Sequence, residues 1–170
     1  MNVWKQLRAI LLLPGMVTVA IPAIIIYSTG MNTSNIVLPI IGSVFVLLGL
    51  ILMAWTIQLF LTVGKGTLAP FDPPQKLVVR GVYKHVRNPM IAGVAWVLLG
   101  EATFFGSLPL LTWFAIFCLA NAIYIPLVEE PGLAQRFGDD YLRYKANVPR
   151  WIPRLRPWEG LPSDEEFRGR

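Results

Sequence analysis

Lys84, His85, Arg87, Asn88 and Pro89 stand directly ahead of an apolar run that opens at Met90, and the adjacent carboxylates Glu129 and Glu130 close the next apolar run. Cations at a helix start, with paired acids expected at the same depth, are parts that together hold a small zwitterion. Asn88 suits an N-cap and Pro89 the first helical position, because proline brings a helical φ and no N–H to leave unpaired. The free N–H groups of the next turn then point back toward Arg87 and favour an anion such as a carboxylate. Glu129 and Glu130, at a helix C-terminus, are opposed by the macrodipole, so something must offset them. Salt bridges to Arg87, Arg136 or Arg143 would do so, and so would a bound ammonium or sulfonium group.

Other side chains carry two readings each. Phe137, Tyr141 and Tyr144 share one helical face; the tyrosines can wall a cation with their rings or sit as interfacial residues. Glu101 breaks an otherwise apolar helix, where an ionisable group is costly and a functional suspect. Its place just before Gly106 also fits the far membrane interface. His85 is the only histidine and Cys118 the only cysteine. A histidine metal site would need carboxylate partners, no disulfide framework is possible, and no metal is expected.

The elements that must position these residues are membrane helices. The 170 residues are 55% hydrophobic and 15% charged, and the mean hydropathy of +0.56 is that of an integral membrane protein. No charge occurs from Ala9 through Gly64, and Glu101 alone interrupts the block from Asn88 to Val128. Each block holds two spans of about 20 residues. The expectation is an all-α polytopic protein with helices near 8–28, 36–63, 89–106 and 109–128. The breaks at 28–35 and 106–109 have uncharged turn chemistry. All 15 lysines and arginines fall on one side of this scheme, which places that side and both termini in the cytoplasm. The net charge of +5 then serves anionic headgroups, and no nucleic-acid partner is needed.

The chain divides into an N-terminal hairpin over 1–63, a more polar region over 64–158, and a tail over 159–170 expected to be disordered. Residues 64–74 are too rich in Pro and Gly for a regular helix, and Gln75 to Arg80 lean toward an extended segment closed by Gly81. Glu129-Glu130-Pro131-Gly132 is expected to break the fourth helix. Leu133 to Asn147 reads as one or two amphipathic surface helices, with a division at Gly138. Val148 to Trp158 alternates cations with Trp and Pro and suits the headgroup region. No G-x-G-x-x-G after a strand, P-loop, H-E-x-x-H or G-x-S-x-G occurs, which argues against soluble nucleotide folds and common hydrolases.

The ordered set Gly81-Val82-Tyr83, Arg87-Asn88-Pro89-Met90, Glu129-Glu130, Leu133, Phe137-Gly138, Tyr141, Tyr144 and Val148-Pro149 resembles the isoprenylcysteine carboxyl methyltransferase family, to which phospholipid methyltransferases are related. The resemblance spans about residues 65–158. It implies a multi-spanning enzyme that uses S-adenosylmethionine without a Rossmann domain or metal. It places that cofactor around Gln75, Lys76, Leu77, Val78, Tyr83, Asn88, Pro89, Met90, Ile91 and Glu129, with Tyr141 and Tyr144 nearby. Arg87, Asn88 and Glu130 are the expected catalytic residues. Where relatives carry a histidine and an arginine this chain has Asn88 and Ile125, so the prenylcysteine acceptor is not implied as firmly as the cofactor. The expected activity is methyl transfer, on the cytoplasmic face, to a lipophilic or small membrane-partitioned thiol, carboxylate or amine. Two alternatives stand beside it: a non-enzymatic membrane scaffold or lipid-binding protein, and a nicotinamide-dependent reductase resembling the sterol reductases.

Overall fold

A computed structural model describes residues 11–30, 36–64 and 77–160. Most of these residues are helical, with no strand among them. Helix α1 is a π-helical stretch, Leu11–Ala20, that runs into the α-helix Ile21–Thr29. Helix α2 is Val37–Leu59, extended by a π turn Phe60–Gly64. A 3₁₀ turn, Gly81–Lys84, leads to α3, Pro89–Phe104, and then to α4, Leu108–Tyr124. A π turn, Ile125–Glu129, joins α4 to α5, Glu130–Asn147. Two stretches are long and apolar enough to cross a membrane, Val37–Val63 and Leu108–Asn147, while Pro14–Thr29 and Pro89–Phe104 are shorter apolar helices.

Packing of α3 on α2 sets the frame. A Cβ on Gly49 would lie 2.6 Å from the Gly93 carbonyl, and one on Gly42 would lie 2.5 Å from the Phe104 nitrogen. The two backbones therefore touch, which only small residues permit, and close van der Waals packing holds them. Met53, Val94, Val97 and Leu98 fill the adjoining core, with Val17, Trp113, Phe114 and Phe117 against it. The Trp113 indole N–H donates to the Val17 carbonyl at 3.1 Å and ties α4 to α1. The reversal expected at 106–109 is present, with Ser107 Oγ accepting from the Leu110 N–H at 3.4 Å.

Three expectations are corrected. The helix does not stop at Glu129–Gly132. Pro126 cannot donate to the preceding turn, and the ladder widens to a π turn in which the Glu130 N–H bonds the Ile125 carbonyl. Pro131 then falls in the first turn of α5, where no donor is needed. Gly138, at φ 55°, does divide the helix. Asn88 caps nothing with its side chain; its carbonyl accepts the Ala92 N–H at 3.1 Å. Residues 77–80 form no strand with a partner among the described residues, although Arg80 is extended.

Residues 148–160 form a strap that folds back on the turn before α3. The Arg87 N–H donates to the Pro149 carbonyl, the Arg154 N–H to the His85 carbonyl, and the Trp158 N–H to the Lys84 carbonyl, at 2.9 to 3.1 Å.

Candidate functional site

The turn 81–88, the joint between α4 and α5, and the strap meet at one end of the helices, and Glu130 is their hub. Its side chain is only 3% exposed. Arg87 Nη1 donates to Oε1 at 2.9 Å, Arg150 Nε donates to the same oxygen at 2.7 Å, and Lys145 Nζ lies 2.8 Å from Oε2. Burial alone would raise the Glu130 pKa. Hydrogen bonds from Arg150 and Lys145 and the charges of Arg87 and Arg150 reverse that and hold it at about 2. One carboxylate thus faces three cations, and the cluster keeps a net positive charge. Arg87 Nε, buried, has no hydrogen-bond partner among the described residues.

The expected meeting of Arg87 with the acid pair is observed. Arg143 is not the partner, and Arg136 instead lies over the Phe137 ring at 5.5 Å. Lys145 and Arg150 are the partners that sequence reasoning missed. Arg150 follows Val148-Pro149, and its place in the cation-rich strap is the only signal that could have drawn notice.

Glu129 differs from its neighbour. It is partly exposed and makes no ion pair among the described residues. Burial, and then the negative charge of Glu130, push its pKa up. The Tyr83 hydroxyl is pushed well up by burial, then by Tyr144 and Glu129, so Tyr83 stays neutral beside it. Tyr141 and Tyr144 are buried with Val148, and Leu77, Val79, Phe137 and Trp158 pack around them. The Tyr144 hydroxyl donates to the Tyr83 carbonyl at 2.8 Å, and Arg87 Nη1 reaches the Tyr141 oxygen at 3.5 Å. Val78 is buried too. Gln75 and Lys76 lie outside the described residues.

At the start of α3 the ladder begins with the Ala92 N–H, so the Met90 and Ile91 N–H groups have no intrahelical partner, and no side chain caps them. Pro89 is buried beneath this turn. Free N–H groups at the helix start and the Glu129 carboxylate at the α4–α5 joint, which has no ion pair among the described residues, are groups that could hold the two ends of a zwitterion.

Beside this end, between α3 and α4, runs a groove of about 420 Å³. Ala92 and Ala95 leave the space, Trp96, Phe114 and Phe117 wall it, and Trp151 of the strap forms part of its lining. Asn121 is its one amide, and its Nδ2 is spent on the Phe117 carbonyl at 2.8 Å. Glu101 lies twelve residues beyond Pro89 on α3, about 18 Å away at 1.5 Å per residue. It takes no part in the site. Among the described residues no group of His, Cys, Asp and Glu could hold a metal.

Comparison with known proteins adds one finding. A family model described as phospholipid methyltransferase matches residues 37–140, from the start of α2 through Arg87, Asn88, Glu129 and Glu130 and into α5. No curated protein and no solved structure matches.

Proposed function

Because the chain belongs to the phospholipid methyltransferase family, a family of membrane methyltransferases, we propose that it transfers methyl from S-adenosylmethionine to a lipophilic or small membrane-partitioned acceptor. The observation that carries this reading is the contrast between Glu130, saturated with cations, and Glu129, half-buried with no ion pair among the described residues. Glu129 would meet the cofactor ammonium, and Met90 and Ile91 N–H groups its carboxylate. Asn88, whose amide is not spent on capping, would hydrogen-bond the same carboxylate. Tyr83, Leu77 and Val78 would line the adenosine side, with Tyr141 and Tyr144 as packed support behind Arg87. Gln75 and Lys76 keep the role that the family resemblance gives them.

The cofactor supplies an electrophilic methyl on sulfur when bound. The protein then has to hold donor and nucleophile in line and keep water out, which is where most of the rate arises in such a displacement. Arg87, fixed by Glu130 and by the Pro149 carbonyl, would orient an anionic part of the acceptor. The groove along Ala92 and Ala95 would take its apolar part, entering from the bilayer. In this reading all four apolar helices span, and the site faces the cytoplasm. The narrower kinship with isoprenylcysteine carboxyl methyltransferases belongs here also, as does the choice among thiol, carboxylate and amine acceptors.

Titration of the purified protein with S-adenosylhomocysteine tests the reading. Binding that weakens tenfold or more in Glu129→Ala is expected, because a hydrogen bond to a charged group contributes about 1.5–3 kcal/mol. Binding of NADPH with none of S-adenosylhomocysteine would replace this reading with the reductase. Binding without turnover on any extracted lipid or thiol would replace it with the scaffold.

A further inference from the structure

The strap has two edges of opposite character. One edge is spent on the site: the Pro149 carbonyl and Arg154 N–H bond the turn at Arg87 and His85, Arg150 holds Glu130, and Trp158 stacks on Tyr144 at 5.9 Å. The residues between these contacts face outward. Ile152 is 80% exposed and Leu155 is 98% exposed, flanked by the exposed Arg156. Contacts within the chain do not explain such apolar tips. The one nearby acid of the strap, Glu159, is taken by Lys84.

We propose that Ile152, Leu155 and Arg156 dock the strap onto an anionic bilayer surface. The level of the strap favours that occupant. Trp151, next to Ile152, lines the groove together with Ile91 in the first turn of α3 and Ala122 near the end of α4. The strap therefore lies where the apolar helices emerge, at headgroup depth. Buried apolar area and attraction of cations to anionic lipid then act on the same few residues. The docked edge and the site edge belong to one short segment, so holding the first in the headgroups holds Pro149 and Arg150 against Arg87 and Glu130. The inference rests on α3 and α4 being membrane-embedded and does not require methyl transfer. The strap lies beyond the residues matched by the family model.

The test uses the full chain in nanodiscs, with an environment-sensitive fluorophore on Leu155→Cys in a Cys118→Ala background. Leu155 touches almost nothing, so the label leaves folding intact. Discs of phosphatidylcholine are compared with discs containing phosphatidylglycerol, and nitroxide lipid is compared with aqueous iodide as quencher. Lipid quenching that is stronger in the anionic discs, and that Arg156→Glu weakens, is the expected result. Each charge near such a surface changes the docked population roughly fivefold, so this reversal should lower it roughly twenty-five-fold. In the unlabelled chain, exchange of the Arg87, Arg154 and Trp158 amide hydrogens slows in the anionic discs. Iodide quenching alone, equal in both discs, overturns the proposal. Shielding from both quenchers, pointing to a second copy over the patch, overturns it too.

Discussion

The two faces of α3 are built on opposite terms. Toward α2, glycine backbones lie in contact and no added carbon fits. Toward α4, alanines opposite aromatic rings leave a groove of about 420 Å³, lined in part by a tryptophan from the strap. The first region is held by packing spread over many atoms. The second is held by one carboxylate gathering cations from the turn before α3, from α5 and from the strap. Apolar packing and ion pairing are thereby separated across a single helix, and substitutions should sort by the kind of contact they break.

The largest effect should come from the polar hub. Glu130→Ala leaves Arg87 buried without its counter-charge, a loss of about 3–5 kcal/mol for such a pair. Thermal unfolding in detergent should show it, together with loss of S-adenosylhomocysteine binding. On the packed face, Gly49→Leu forces α2 from α3, and overpacking of this kind costs about 1–3 kcal/mol or more. Ala95→Leu places the same side chain facing the groove and should cost under about 1 kcal/mol, since space is already there. Its effect should be a raised KM for a long-chain acceptor with cofactor affinity unchanged. Equal destabilisation by these two substitutions would erase the contrast between the faces.

The acids give a finer test. The Glu130 pKa is depressed to about 2, so its contribution is complete above the ordinary carboxylate range and is lost as pH falls toward that value. The Glu129 pKa is raised, so its charged form opposes folding at neutral pH and that opposition fades as pH falls through its pKa. Glu129→Gln should therefore raise the unfolding midpoint at neutral pH while weakening S-adenosylhomocysteine, a trade between stability and binding at one residue. Cofactor affinity of the native protein should fall on acidification for the same reason. Smallest of all on activity, Glu101→Gln at the far end of α3 should leave turnover unchanged, while the unfolding midpoint rises because the change neutralises a carboxylate whose Oε2 is buried with no hydrogen-bond partner among the described residues.

Much of this was legible in the sequence. Charge-free runs marked the helices, the uncharged turn at Gly106-Ser107 marked the reversal, and opposite charges at neighbouring helix ends offered Arg87, Arg136 or Arg143 as partners of the acid pair, of which Arg87 meets Glu130. What could not be read depends on contacts distant along the chain. Lys145 and Arg150 reach Glu130 only because α5 and the strap turn back, and no local pattern records that. Pro131-Gly132 looked like a stop because proline usually ends a helix, whereas here it follows a widened turn that leaves its position without need of a donor. Asn88 had the right residue type for a cap, yet its side chain is not used as one.

That widened turn also fixes which acid points where. One residue more than an α-turn rotates everything downstream by about 100° around the axis. A deletion of a single residue within 125–128 would re-phase α5, carrying the saturated carboxylate out of reach of the arginine while leaving every side chain of the site present in the gene. The assignment of duties between two identical neighbouring acids is therefore written in the count of residues per turn, and an insertion or loss there would re-aim the site where no substitution could.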